Sequence, residues 1–128
     1  MRYLLDTHTV FWYFEGSPEL SKKAKAVIDD GENEILVSII SAWEIAIKHS
    51  LNREKTTLCS TAEFFDEIAA SGLALLKLEP HHIRSVETLP YHHRDPFDRL
   101  LIATAIAEDI VFVSADVNVP RYDVKWIW

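Results

Sequence analysis

Positive charge is scarce in this sequence. It has 13 Lys and Arg against 20 Asp and Glu, a net charge of −7 at neutral pH. A protein that grips nucleic acid through its phosphates alone carries the opposite balance. A nucleic-acid partner would therefore need another source of positive charge here, either a local basic patch or a bound metal ion. Cysteine is almost missing: Cys59 stands alone, which excludes an internal disulfide and agrees with a cytoplasmic setting. No apolar run approaches the ~20 residues of a membrane span. The opening "MRYLLD" reaches an acid at position 6, too soon for the apolar stretch of a secretory signal. Repeats, low-complexity tracts and linkers are absent as well. These absences leave one globular domain over residues 1–128, a length that suits a single core.

The apolar residues fall into short blocks. "YLL" (3–5), "EILVS" (34–38), "LALLKL" (73–78) and "IVFVSAD" (110–116) read as strands, and "VKWIW" (124–128) as a last strand by its alternation. Between them lie helical patterns. "SKKAKAVIDDG" (21–31) turns Ala24, Val27 and Ile28 inward with Gly31 as C-cap. "SAWEIAIKHS" (41–50) starts at a cap-like Ser41, and "STAEFFDEIAASG" (60–72) runs from Ser60 to Gly72. "HHIRSVETL" (81–89) is a short helix before Pro90, and "PFDRLLIATAIAED" (96–109) is the most apolar helix of the chain. Strands that are continuously apolar and alternate with helices indicate an α/β fold, with a mainly parallel central sheet flanked by helices on both faces.

In such sheets ligands bind beyond the carboxyl ends of the strands. The first strand ends at Asp6, and the second runs into a helix carrying Glu44. The strand at 110–114 stops just before Asp116, and Asp95 and Asp98 open the helix that feeds it. Parallel topology would bring these carboxylates to one edge. Like charges placed together raise at least one pKa, and burial adds to this. A site that gathers acids is best understood as a site for a hard divalent cation, Mg2+ or Mn2+ rather than zinc.

Each acid also has a plain structural role open to it. Asp6 can cap a helix. Glu44 can pair with Lys48 four residues on, and "SAWE" (41–44) and "STAE" (60–63) both match a capping box. Asp116 can start a turn. In "HRDPFDR" (93–99) Asp95 is the natural N-cap before Pro96. Asp98 is the hardest to dismiss, because its helical neighbours Leu101, Ile102 and Ala105 place it on an inward row where an acid needs a partner or a metal.

"LLDTH" (4–8), "SAWEIAIK" (41–48), "HRDPFDRLLIATA" (93–105) and "FVSAD" (112–116) resemble, in order and spacing, the PIN domain, and in particular VapC-type toxins of bacterial toxin–antitoxin pairs. The resemblance implies a metal-dependent endoribonuclease that hydrolyses RNA with Mg2+-activated water, Mn2+ being a substitute. It carries the metal-binding and catalytic acids onto Asp6, Glu44, Asp98 and Asp116, with Asp95 as an extra acid of the subgroup that has this "DPFD" signature. Thr7 and Ser114 fall where the family often has a hydroxyl near the metal, and Arg99 would pair with a neighbouring acid or with substrate. A cognate antitoxin and a homodimer are implied too. An antitoxin that covers an acidic site would offer a basic segment.

Basic groups near these positions are Lys48, His49, Arg53 and Lys55, and His92, His93 and Arg94, expected mainly as solvated helix end and loop. The adjacent pairs His81/His82 and His92/His93 lack the spacing of helical zinc ligands. The alternative function is a non-catalytic PIN-like module that binds RNA or protein. A phospho-acceptor receiver domain ranks lower, since Asp6 is followed by Thr7-His8 and "FVSAD" offers no Lys.

Overall fold

A computed structural model describes residues 1–51 and 59–128. Five strands form one sheet: β1 (Arg2–Leu5), β2 (Glu34–Ser38), β3 (Ala74–Leu76), β4 (Val111–Val113) and β5 (Trp126–Ile127). Their order is β3-β2-β1-β4-β5, and every pairing is parallel. Among the described residues six α-helices accompany them: α1 (Thr7–Glu15), α2 (Lys22–Asp29), α3 (Ile39–Leu51), α4 (Thr61–Ala70), α5 (Pro80–Ser85) and α6 (Pro96–Glu108). The chain builds outward from β1 to β2 and β3, then returns to place β4 on the other side of β1. The boundary between β1 and β4 is thus the point where strand order reverses, which is where an open α/β sheet leaves a crevice for ligands.

Alternation along the strands divides the core in two. Leu5, Val37 and Val113 point to one face, where they pack with Val10, Phe11, Ile28 and the fully buried Phe64. Leu4, Leu36 and Phe112 point to the other, against Ile40, Leu101, Ile102, Ala105 and Tyr122. Because successive strand side chains alternate, both faces must be apolar, and this is why the strands read as unbroken apolar runs.

Local chemistry accounts for the helix ends. Ser60 accepts from the Glu63 N–H while the Glu63 carboxylate accepts from the Ser60 N–H, the capping box expected of "STAE". Gly72, just beyond α4, has φ +72°, a conformation that favours glycine. Several boundaries differ from the sequence expectation. The strands expected over 73–78, 110–116 and 124–128 shorten to Ala74–Leu76, Val111–Val113 and Trp126–Ile127. The helix expected over 81–89 ends at Ser85 and passes into a 3-10 turn, and two further helix ends move. α2 ends at Asp29 with Asp30 as C-cap, so Gly31 lies past the end. α3 starts at Ile39, directly after β2, and the Ser38 hydroxyl accepts from the Ile40 N–H. Ser41 is therefore interior to α3 and does not open it. Ser60→Ala is expected to cost about 1 kcal/mol in urea denaturation, the usual worth of an N-cap hydroxyl.

Candidate active site

Three helices begin at the carboxyl edge of the sheet. α1 follows β1 through Asp6, α3 follows β2, and α6 begins beside β4. Their free N–H groups make this edge electropositive, which favours carboxylates there. Asp6 is the N-cap of α1 and is only 7% exposed. One of its oxygens accepts the Thr7 N–H at 2.8 Å and the other accepts the Ser114 hydroxyl at 2.7 Å. Ser114 also accepts the Asp116 N–H, at 3.1 Å, so one serine joins the ends of β1 and β4. Asp116 in turn caps the following turn, accepting the Asn118 N–H at 2.8 Å.

Glu44 is buried on α3 with both oxygens engaged. Thr7 donates to one at 3.0 Å and Lys48 to the other at 2.6 Å. The single hydroxyl proton of Thr7 is thereby used, so Ser41, 2.8 Å away, donates to Thr7. The capping-box reading of "SAWE" is thus replaced by a buried relay from Ser41 through Thr7 to Glu44. The i,i+4 pair with Lys48 does form, but on a carboxylate that is 6% exposed. Hydrogen bonding to Glu44 raises the Lys48 pKa, and the charges of Asp95 and Asp98 add to this. Lys48 is therefore a cation already facing the acids.

Asp95 caps α6, accepting the N–H groups of Phe97 and Asp98 at 2.9 and 3.2 Å. Pro96 fills the first helical position and Asp98 the third. Among the described residues nothing donates a hydrogen bond to the Asp98 carboxylate. Burial, together with the charges of Asp6, Asp95, Glu44 and Asp116, pushes its pKa up to about 8. Burial also raises the Asp6 pKa, opposed by its two hydrogen bonds. The contrast between these two acids shows what the donors achieve: Asp6 is bonded, whereas Asp98 is left with repulsion.

Asp6, Asp98 and Asp116 line one cleft of about 290 Å3, together with His8, Thr9, Trp12 and Ala115. Glu44 is not in the lining; Thr7 links it to Asp6, donating its hydroxyl to Glu44 and its N–H to Asp6. Two residues sit differently from expectation. Arg99 pairs with no carboxylate among the described residues. It is buried, and its guanidinium donates to the carbonyls of Leu89 and Pro90 and to the Tyr122 hydroxyl while lying over the Tyr91 ring. It fastens the segment before α6. His93, expected as an ordinary loop residue, is folded inward with Nε2 3.6 Å from Asp116 and 3.9 Å from Asp98. Sequence reading assigned His93 and Ser41 other roles, a loop residue and a helix cap, because the contacts that place them are distant in sequence. Arg53 and Lys55 lie outside the described residues. His81 and His82 both meet Glu108, at 3.1 and 2.6 Å, and His82 Nδ1 accepts the Glu79 N–H. His82 Nε2 then carries a proton and is a donor, not a zinc ligand.

The PIN domain profile matches residues 3–125. The chain belongs to the PIN domain family. No curated protein matches it in sequence. In fold this PIN domain is similar to a chain in the crystal structure of VapBC2 from Rickettsia felis bound to a promoter DNA fragment, with TM-score 0.72, 17% identity, and 99% and 98% of the two chains covered. A chain of VapBC-1 from nontypeable Haemophilus influenzae gives 0.68, 15% identity, and 99% and 97% coverage. A chain of FitAcB from Neisseria gonorrhoeae gives 0.64, 15% identity, and 98% and 96% coverage. At these identities the likeness is one of fold.

The donor set suits a hard divalent cation. It is rich in carboxylate oxygen, partly desolvated, and mutually repulsive when no cation is bound. The raised Asp98 pKa has a sign that can be tested. Between the unfolded value of 3.8 and about 8 the folded, metal-free protein holds a proton that the unfolded chain has released. Stability from this group is complete at low pH and is lost as pH rises through that window. Asp98→Asn removes the titration, so without metal the variant's melting temperature is expected to gain on the wild type from pH 5 to pH 8. A constant difference would mean that Asp98 does not titrate there. Asp95→Ala should cost about 1 kcal/mol in the same melts, as an N-cap does.

Proposed function

We propose that this PIN domain is a metal-dependent endoribonuclease and the toxin of a VapC-type toxin–antitoxin pair. The observation that carries the reading is the cleft shared by Asp6, Asp98 and Asp116, where burial and then the charges of neighbouring acids push the pKa of Asp98, which has no donor among the described residues, up to about 8. A purely structural module has no use for such repulsion. In this reading Asp6, Asp98 and Asp116, with Glu44 linked to Asp6 by Thr7, hold Mg2+ or Mn2+, and Asp95 remains a cap. When bound, the cation supplies positive charge against the phosphodiester and lowers the pKa of water beside it.

The chain's own residues do the positioning. Thr7 and Ser114 fix Asp6 through its two oxygens, leaving the carboxylate one orientation. Thr7, itself held by Ser41, and Lys48 do the same for Glu44. Lys48 moderates the acid field before the cation arrives and afterwards faces incoming phosphate. In the reaction a water oxygen forms a new bond to phosphorus and gives up one proton, the bond to the departing ribose oxygen breaks, and that oxygen takes up a proton, so that overall one water is added across the bond.

The net charge of −7 is consistent with a basic antitoxin segment laid over the acidic cleft. A homodimer and a cytoplasmic location complete the reading; among the described residues no helix is long and apolar enough to cross a membrane. RNA cleavage by purified protein should require Mg2+ or Mn2+, stop in EDTA, and fall by orders of magnitude in Asp6→Asn and Asp98→Asn. Full activity in excess EDTA would sink the metal mechanism. Tight RNA binding without cleavage would favour the binding-module alternative.

A further inference from the structure

His93 has an unusual position. Its side chain is only 10% exposed, and Nε2 is buried without a hydrogen-bond partner among the described residues, 3.6 Å from Asp116 and 3.9 Å from Asp98. Its other nitrogen, Nδ1, lies 2.8 Å from the Tyr122 hydroxyl. That hydroxyl oxygen already receives the N–H groups of His92 at 3.1 Å, His93 at 3.3 Å and Arg99 at 3.3 Å. A phenol oxygen has two lone pairs and one proton. With three N–H groups crowding the lone pairs, the proton has one acceptor in reach, His93 Nδ1. A neutral imidazole that accepts at Nδ1 carries its own proton at Nε2.

We propose that Tyr122 locks His93 as the Nε2–H tautomer, and that this N–H orients the Asp98 and Asp116 carboxylates for the cation. The 3.6 Å gap to Asp116 Oδ2 is longer than a hydrogen bond, so that carboxylate must turn toward Nε2 while its other oxygen stays on the Asn118 N–H. Nε2 is buried, so His93 does not meet substrate; it acts through the two acids and is a positioning residue. Arg99 serves the same end by fastening both Tyr122 and the segment that carries His93. The inference rests on the reading that the acid cluster binds a divalent ion.

The test measures Mn2+ affinity by electron paramagnetic resonance, with nitrogen NMR of the metal-free protein alongside. The imidazole should report as the Nε2–H form in the wild type. His93→Ala should weaken Mn2+ at least roughly tenfold, the usual effect of removing a group that supports a metal ligand. His93→Gln, which keeps an N–H donor, should recover most of that loss. Tyr122→Phe should abolish the single tautomer and weaken Mn2+ in between. Equal affinity of the wild type and His93→Ala, no rescue by glutamine, an Nδ1–H tautomer, or nitrogen bonded directly to Mn2+ would each overturn the role while leaving the metal site standing. A wild type that binds no Mn2+ would overturn the metal reading itself, and this inference with it.

Discussion

Electrostatic repulsion among carboxylates at the β1–β4 edge is the constraint around which the rest of this molecule is arranged. Asp6, Asp98 and Asp116 share a cleft, and the charge of Glu44 also acts on Asp98. Such a cluster is tolerable only where helix N-termini, hydroxyl donors and a cation offset it. The fold supplies all three. Parallel strands send α1 and α3 away from this edge, and α6 begins beside it, so electropositive helix ends gather there. Thr7, Ser41 and Ser114 are buried hydroxyls whose bonds run to acids or to one another. Lys48 brings the permanent charge. Among the described residues Asp98 is the acid of this cluster left without a donor, and its pKa, raised to about 8 by burial and by the other acids, marks where the opposition is incomplete.

Much of the architecture was legible from the chain because burial on both faces leaves a plain imprint. Leu4-Leu5, Leu36-Val37 and Phe112-Val113 each contribute to both halves of the core, and no half-exposed strand would read that way. The acids were legible by position alone, since strand ends in a parallel sheet share an edge. Short-range grammar succeeded where the partners lay within a turn, as at Ser60 and Asp95.

The same grammar misled where a distant residue outbid a local one. Ser41 has the spacing of a cap, but Ser38 holds that place and Ser41 is drawn to Thr7, far back in the chain. Arg99 sits among acids in sequence, yet two carbonyls and a tyrosine hydroxyl claim its guanidinium. A planar donor group with several N–H bonds to satisfy is better served by carbonyls converging on it than by an exposed acid such as Asp95. His93 was opaque for the same reason: Tyr122, which turns it inward, belongs to a segment whose course local pattern does not reveal.

"DPFD" shows how stability and chemistry divide between neighbouring residues. Asp95 lies exposed at the helix start and satisfies two N–H groups. Asp98, one turn inside, stands over the cleft at a cost to the metal-free fold. The first acid fixes where the second must sit. The most direct measurement of this account is calorimetric titration of Mg2+ at pH 7 in buffers of different ionisation enthalpy, which counts protons released on binding. A metal-free Asp98 with its pKa near 8 predicts release of about one proton per ion. Binding with no proton release would contradict the account, because the cluster would then be ionised before the cation arrived.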